Sequence, residues 1–281
     1  MRSDAITVVN DSFLLTLGHR ARELVRRRET IRFLVSSNLK AGHRDKVLGH
    51  LWSLLDPLLF VGVYFVVFGL MFGQTGRGRS AFIVYLSIGV LAFRFLDATI
   101  AQATLCIKAN RGLIHEVSFP KAVFPVAVSL SRLYDFLWGL LVLLLIIPLA
   151  GVPWTVHAVW IVPLLGIHVL LATGLAFLVA CMGAFFADTA NVVGVIMRLL
   201  MYISPTFYYA RGEHGLIPER WQALYMMNPI ACLLEGYRDA LLWGRTPDVS
   251  MLTYVTAVSV GLLITGFVVF SIGEGRFAKY V

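Results

Sequence analysis

The chain has 281 residues, of which 58% are hydrophobic and only 14% charged, against roughly 45–50% apolar and about 25% charged in a soluble domain. Together with a mean hydropathy of +0.79, this excludes a soluble enzyme and points to a polytopic membrane protein. A net charge of +8 would suggest nucleic acid in a soluble chain. Here the basic residues flank apolar stretches, where lipid headgroups and the positive-inside rule account for them, and no nucleic-acid partner is expected.

Residues 1–50 hold ten of the 24 Lys and Arg and no spanning stretch. They are polar and Arg-rich where a signal peptide would carry a short apolar run, so no cleavable leader is expected. Within them Ile31, Leu34, Val35 and Leu39 recur at i, i+3, i+4 and i+8, with Arg32, Ser36 and Lys40 on other faces. That periodicity predicts an amphipathic helix. Preceded by Arg26, Arg27 and Arg28, it reads as a helix lying on the anionic cytoplasmic leaflet.

Residues 51–281 read as an all-α transmembrane domain. A spanning helix needs about 20 mainly apolar residues, and six windows qualify: 51–72, 81–103, 122–150, 158–186, 190–209 and 249–272. In the second, Arg94 and Asp97 fall three apart on one helical face, and Arg132 and Asp135 repeat that spacing in the third. Such charges must pair or face the protein interior. Fifteen Lys and Arg lie on the side of the termini and of the 104–121 loop, against six on the other: Arg77, Arg79, Arg211, Arg220, Arg238 and Arg245. The positive-inside rule therefore puts both termini in the cytoplasm.

Between the last two windows, residues 221–243 are apolar enough to touch lipid. They carry Glu235, Arg238 and Asp239 and are broken at Asn228-Pro229. The break and the charges predict a re-entrant or interfacial helix pair on the outer side rather than a seventh span. Trp221, Tyr225, Tyr237 and Trp243 are then expected at headgroup level.

Chemistry of an enzyme's kind is missing from the sequence. No GxxxxGK[ST] phosphate loop occurs, the seven histidines show no HExxH spacing, and Cys106, Cys181 and Cys232 form neither a CxxC pair nor an even set. Neither a metal nor a cofactor is expected in this chain. Aromatic residues are concentrated instead. Trp52, Tyr64 and Phe68 in the first window, and Tyr202, Phe207 and Tyr208 in the fifth, are candidates for the wall of a carbohydrate path.

Four blocks resemble the membrane subunits of type-2 ABC exporters of the O-antigen, capsular polysaccharide and teichoic acid class. Residues 38–60 (NLKAGHRDKVLGHLWSLLDPLLF) are similar to that family's lead into span one, although Asp56 stands before Pro57 where a neutral residue is usual. Residues 110–125 (NRGLIHEVSFPKAVFP) resemble its cytoplasmic loop between spans two and three. Residues 198–209 (RLLMYISPTFYY) and 224–239 (LYMMNPIACLLEGYRD) resemble the end of span five and the re-entrant segment.

The resemblance implies a permease subunit without its own nucleotide site, in the bacterial inner membrane. Two copies would form a channel for a lipid-linked polysaccharide and pair with a separate ABC ATPase subunit that binds ATP and Mg. Asn110, Arg111, Gly112, Leu113, Ile114, Phe119 and Pro120 would form the coupling segment that docks on that ATPase. The amphipathic helix would act as a gate for the lipid-linked substrate, with Arg26, Arg27, Arg28, Ile31 and Leu34 as its headgroup-binding and gating residues. Two other readings stay open: an exporter of a drug or small lipid with the same fold, and an ion-coupled carrier using Arg94, Asp97, Arg132 and Asp135 as a relay.

Overall fold

The structure is a computed structural model and describes residues 18–20, 22–43, 51–71, 78–116, 119–211 and 215–280. Among the described residues every regular element is a helix. In chain order they are α1 (Arg28–His43), α2 (Leu51–Tyr64) with a π-helical turn Phe65–Met71, and α3 (Arg79–Ala109). Next come α4 (Arg111–Glu116), α5 (Val123–Leu149), a 3-10 turn Val156–Trp160 running into α6 (Ile161–Phe185), and α7 (Thr189–Ile203). The chain ends with α8 (Glu219–Tyr225), α9 (Pro229–Leu241), α10 (Val249–Gly273), a 3-10 turn Glu274–Arg276 and α11 (Phe277–Tyr280).

Four helices are long and apolar enough to cross a membrane: α3, α5, α6 with its leading turn, and α10 with its trailing turn. They coincide with the windows 81–103, 122–150, 158–186 and 249–272. The windows at 51–72 and 190–209 hold shorter apolar helices, Leu58–Phe68 and Thr189–Ile203. α7 stops six residues before its window does. Pro205 disfavours the helical conformation at the residue before it, and Ser204 accordingly turns extended (φ −79°, ψ 151°). In the other direction α3 continues six residues past its window to Ala109, because Arg94 and Asp97 are half-buried inside the protein and do not interrupt the helix.

α3 is the axis of the bundle: 72% of its apolar window is buried, against 28% for α10. It packs on α5 and α6, and α6 packs most extensively on α10. Close approach there depends on small residues. A Cβ on Gly174 would lie 2.6 Å from the Leu263 nitrogen, one on Gly266 would collide with the Gly174 carbonyl, and one on Gly183 would collide with the Thr104 carbonyl of α3. In lipid, where apolar side chains gain nothing from leaving water, such backbone contact is what drives helices together.

α1 lies along α5. Leu34 is buried, Ile31 and Val35 pack beside it, and Asn38 Nδ2 donates to Ser131 Oγ at 3.3 Å. The opposite face is open, with Phe33 69% exposed and Arg26, Arg27, Arg28 and Arg32 exposed around it. On the other side, α9 begins sharply at the predicted break. Asn228 Oδ1 accepts from the Ile230 N–H at 3.0 Å and Pro229 occupies the first helical turn, where its missing N–H costs nothing.

Every residue of α9 from Ile230 to Leu241 is buried, in contact with α3, α6 and α10. Two expectations are corrected by this enclosure. Tyr237 is 2% exposed and packs 6.0 Å from the His168 ring, so it does not sit at headgroup level. Arg238 is not an outer-loop cation but, among the described residues, the largest fully buried side chain. Trp221 is 52% exposed, whereas Trp243 packs against Tyr209.

The glycine contacts give a first prediction. Gly174→Leu is expected to force α6 and α10 apart, at a cost at or above the roughly 1–3 kcal/mol of ordinary overpacking, and to lower the unfolding temperature in detergent. Gly194→Leu, at a position with open space around it, serves as the control. Equal melting of the two variants would contradict the contact.

Candidate functional site

A cavity of ≈ 300 Å³ lies between α2, α3 and α7. Phe60, Tyr64, Phe93 and Phe207 give its wall four aromatic rings. Tyr64 and Phe207 approach to 4.1 Å between ring centroids, Phe68 stacks on Phe207 at 5.5 Å with the rings 3° from parallel, and Tyr202 stands 6.0 Å from Phe207. Phe60 continues the row, 6.2 Å from Tyr64. α2 contributes Phe60, Tyr64 and, through its π-helical turn, Phe68, which is a spacing of four each time and so a single helical face. Phe207 arrives from the non-helical turn after α7 and is 1% exposed.

Charge meets this wall from two sides. Arg94 and Asp97 of α3 and Arg198 of α7 all line the cavity, and the Arg94 guanidinium carbon lies 4.6 Å from the Phe60 ring centre, a cation–π contact. The second predicted charge pair lies elsewhere. Arg132 Nη1 meets Asp135 Oδ2 at 2.9 Å and Arg132 Nε donates to Gln102 Oε1 at 2.7 Å, so this pair is held within α5 and against α3. Of the six predicted path residues, Tyr64 and Phe207 line the cavity, while Phe68 and Tyr202 pack against Phe207 beside it. Tyr208 is directed away, its hydroxyl 2.9 Å from that of Tyr225. The side chain of Trp52 lies outside the described residues.

Behind the cavity stands a polar cluster that the sequence reading did not single out. The Arg238 guanidinium lies 3.4 Å from the centre of the Tyr85 ring, pairs with Glu235 Oε1 at 2.8 Å, and points Nη2 at the carbonyls of Thr206 and Tyr85 at 3.4 and 3.5 Å. Tyr85 in turn donates to the Tyr208 carbonyl at 2.6 Å, and Asn228 Nδ2 donates to Ser204 Oγ at 3.0 Å. The turn 204–209, which carries Phe207, is thus tied to α9 and α3 at three points. Room for the guanidinium comes from Gly89, where a Cβ would lie 2.8 Å from Arg238 Nη2 and 2.6 Å from the Thr206 carbonyl. The signal was present in the sequence, since Glu235 and Arg238 have the same spacing as Arg94 and Asp97 in the opposite order.

At the opposite end of α3, the predicted coupling segment forms α4. Asn110 caps the end of α3, its Nδ2 donating to the Cys106 carbonyl at 2.7 Å. Ile114 is buried in a second apolar core with Leu34, Phe124, Phe270 and Phe277, and Phe119 packs against it. Arg111, Gly112 and Leu113 are exposed and Pro120 is half-buried. Lys108 Nζ reaches the Phe186 carbonyl at 3.4 Å. Among the described residues no group of His, Cys, Asp and Glu is arranged to hold a metal ion.

A helical bundle with four helices long and apolar enough to cross a membrane, packed around the buried helix α9, defines a multi-pass membrane protein. The chain belongs to the ABC-2 type transporter family, which it matches over residues 29–242. It is 27% identical over 262 residues to the O-antigen export system permease protein RfbA of Myxococcus xanthus, covering 92% of this chain and 98% of that protein. A protein of the same name from Klebsiella pneumoniae is 24% identical over 247 residues, 88% of this chain and 92% of the relative. The polysialic acid transport protein KpsM of Escherichia coli is 22% identical over 228 residues, 81% and 86% of the two chains.

The buried pair gives a second prediction. Arg238→Met leaves Glu235 desolvated without its partner and is expected to destabilise the protein by about 3–5 kcal/mol, as loss of one member of a buried pair does. The double variant Arg238→Met/Glu235→Met should recover part of that loss. Unfolding in detergent micelles measures both, and a single variant that melts with the parent protein would refute the role.

Proposed function

We propose that the chain is the membrane subunit of an ATP-driven exporter that moves a lipid-linked polysaccharide across the bacterial inner membrane. Two copies form the channel, and each pairs with a separate ABC ATPase subunit that holds ATP and Mg. Six spans are counted by adding α2 with its π-helical turn and α7 to the four long helices, and both termini lie in the cytoplasm. The full-length similarity to permeases named for O-antigen export supports the substrate class. The observation that carries the reading in this chain is the set of rings Phe60, Tyr64, Phe93 and Phe207 lining the cavity, with Phe68 stacked on Phe207 beside them. Flat rings in series offer stacking surface to successive sugars without demanding one particular sugar.

In this reading α4 docks on the ATPase through the exposed Arg111, Gly112 and Leu113, while the buried Ile114 and the half-buried Phe119 tie it to the bundle. α1 acts as an interfacial gate beside α5, and its exposed Arg26, Arg27 and Arg28 attract an anionic lipid headgroup. The ion-coupled carrier gains no support from Arg132 and Asp135, which are engaged with each other and with Gln102.

Two expected outcomes test this function separately. Leu113→Asp places a charge on the exposed face of α4 and is expected to abolish co-purification of an ATPase from native membranes. Unchanged recovery of the ATPase would overturn the coupling assignment. Tyr64→Ala and Phe207→Ala are each expected to lower surface polysaccharide about fivefold, the equivalent of one aromatic contact of about 1 kcal/mol, with ATPase recovery unchanged. Export at the parent level in both variants would remove the cavity from the path.

A further inference from the structure

Beneath the bundle, three segments that are far apart in sequence meet at one carboxylate. Glu274 follows α10, and its Oε1 accepts the backbone N–H of Lys121, just before α5 begins at Val123. Its Oε2 lies 3.8 Å from Arg20 Nη1. The same Arg20 nitrogen donates to the Ser271 carbonyl at 2.6 Å, one of the final carbonyls of α10. No side chain caps α5 at Ala122; Glu274 holds the Lys121 N–H one residue ahead of that cap, near the positive end of α5, and Arg20 supplies a donor to a helix C-terminus. Each charge sits at the helix end of opposite sign, and the two also face each other.

The surroundings make this contact more than a local cap. Lys121 ends the short stretch that follows α4, and α11, which begins three residues after Glu274, contacts α4. Phe277 of α11 is fully buried against Phe185 and Phe270. Arg20 belongs to the lead into α1, whose Leu24, Ile31 and Leu34 enter the same apolar core as Ile114. The Glu274 side chain is 14% exposed and that of Arg20 is 40% exposed. The contact is therefore partly shielded from water and keeps a larger share of its strength than an exposed pair.

We propose that Glu274 is a positioning residue that binds the α4 loop, the lead into α1 and the end of α10 into one rigid body. A displacement of α4 is then delivered directly to α1. This inference rests on the reading that α4 docks on the ATPase, and it adds a component that reading lacks: a mechanical link from the docking helix to the N-terminal helix.

The test uses the chain together with its ATPase in nanodiscs. Spin labels are placed at Ser36→Cys on α1 and His115→Cys on α4, both exposed, with Cys106, Cys181 and Cys232 replaced by Ala. In the parent protein the distance between labels is expected to stay narrow and unchanged on trapping with ATP and vanadate. In Glu274→Ala it should broaden on trapping. Surface polysaccharide of the host cells, quantified by periodate labelling, should fall about tenfold, within the range usual for coupling between sites. The ATPase should still co-purify and still hydrolyse ATP.

Glu274→Gln keeps an oxygen for the Lys121 N–H but gives up the charge facing Arg20, and it is expected to fall between the two. Arg20→Gln approaches the same contact from the less buried partner and decides the matter if Glu274→Ala fails to assemble. A parent distance that changes on trapping would overturn the proposal, as would parent-like distances and export in both Glu274→Ala and Arg20→Gln. Failure of the docking reading is distinct: Leu113→Asp would then retain the ATPase whatever happens at Glu274.

Discussion

A guanidinium with no exposure, inside a bundle built for lipid, must find all its stabilisation in the protein. Arg238 finds it in a carboxylate one turn away, a tyrosine face and two backbone carbonyls. Each partner comes from a different part of the chain: Glu235 from α9, Tyr85 from α3, and Thr206 from the turn after α7. The cost of burying the charge is thereby converted into a requirement that these three pieces keep one relative arrangement. Phe207 follows Thr206 directly, so the innermost ring of the cavity wall inherits its position from an arginine that does not touch the cavity.

The same accounting applies to backbone groups where the chain leaves helical geometry. At Ser204-Pro205 and at Asn228-Pro229 the helix ladder is interrupted, and inside a packed bundle the freed groups need partners within the protein. Asn228 Oδ1 accepts from the Ile230 N–H at the start of α9, and its Nδ2 donates to the Ser204 hydroxyl, which holds the two breaks side by side. Tyr85 and Tyr208 cover further carbonyls of the 202–208 region. Irregular backbone near an apolar bundle is thus confined to a place where side chains from α3 and α9 enclose it. That place is also where a membrane protein gains an opening that regular helices alone would close.

What could be read from the sequence divides along physical lines. Four long helices were visible as apolar windows because length and hydropathy alone decide them, and the Asn228-Pro229 break was visible because proline acts locally. α7 was read too long, since Phe207, Tyr208 and Tyr209 extend the apolar run past the point where Pro205 ends the helix. Tyr64, Phe68, Tyr202 and Phe207 were recognisable as aromatic positions, but their convergence depends on how α2 and α7 approach each other. The role of Arg238 was hidden for a different reason. Counting cations by side treats an arginine as a topology marker, whereas Gly89, 149 residues earlier in the chain, leaves the space that allows it inside. The contact at Glu274 joins residues 20, 121 and 274 and could be read only from the folded chain.

These features place the two ends of α3 under different constraints. Its 31 residues extend about 46 Å, long enough to run from the Tyr85–Arg238 cluster at one end to Asn110 and α4 at the other. Between them Arg94 and Asp97 face the cavity, and Gly89 and Thr104 mark its closest approaches to the 204–209 turn and to α6. Packed interiors compress poorly, so a long helix held at both ends keeps the spacing between them. The cavity is lined in part by the middle of that helix and by Phe207, which the Tyr85–Arg238 cluster positions. α4 and the cavity wall are therefore joined by two routes, along α3 itself and through the 204–209 turn that Tyr85 of α3 holds.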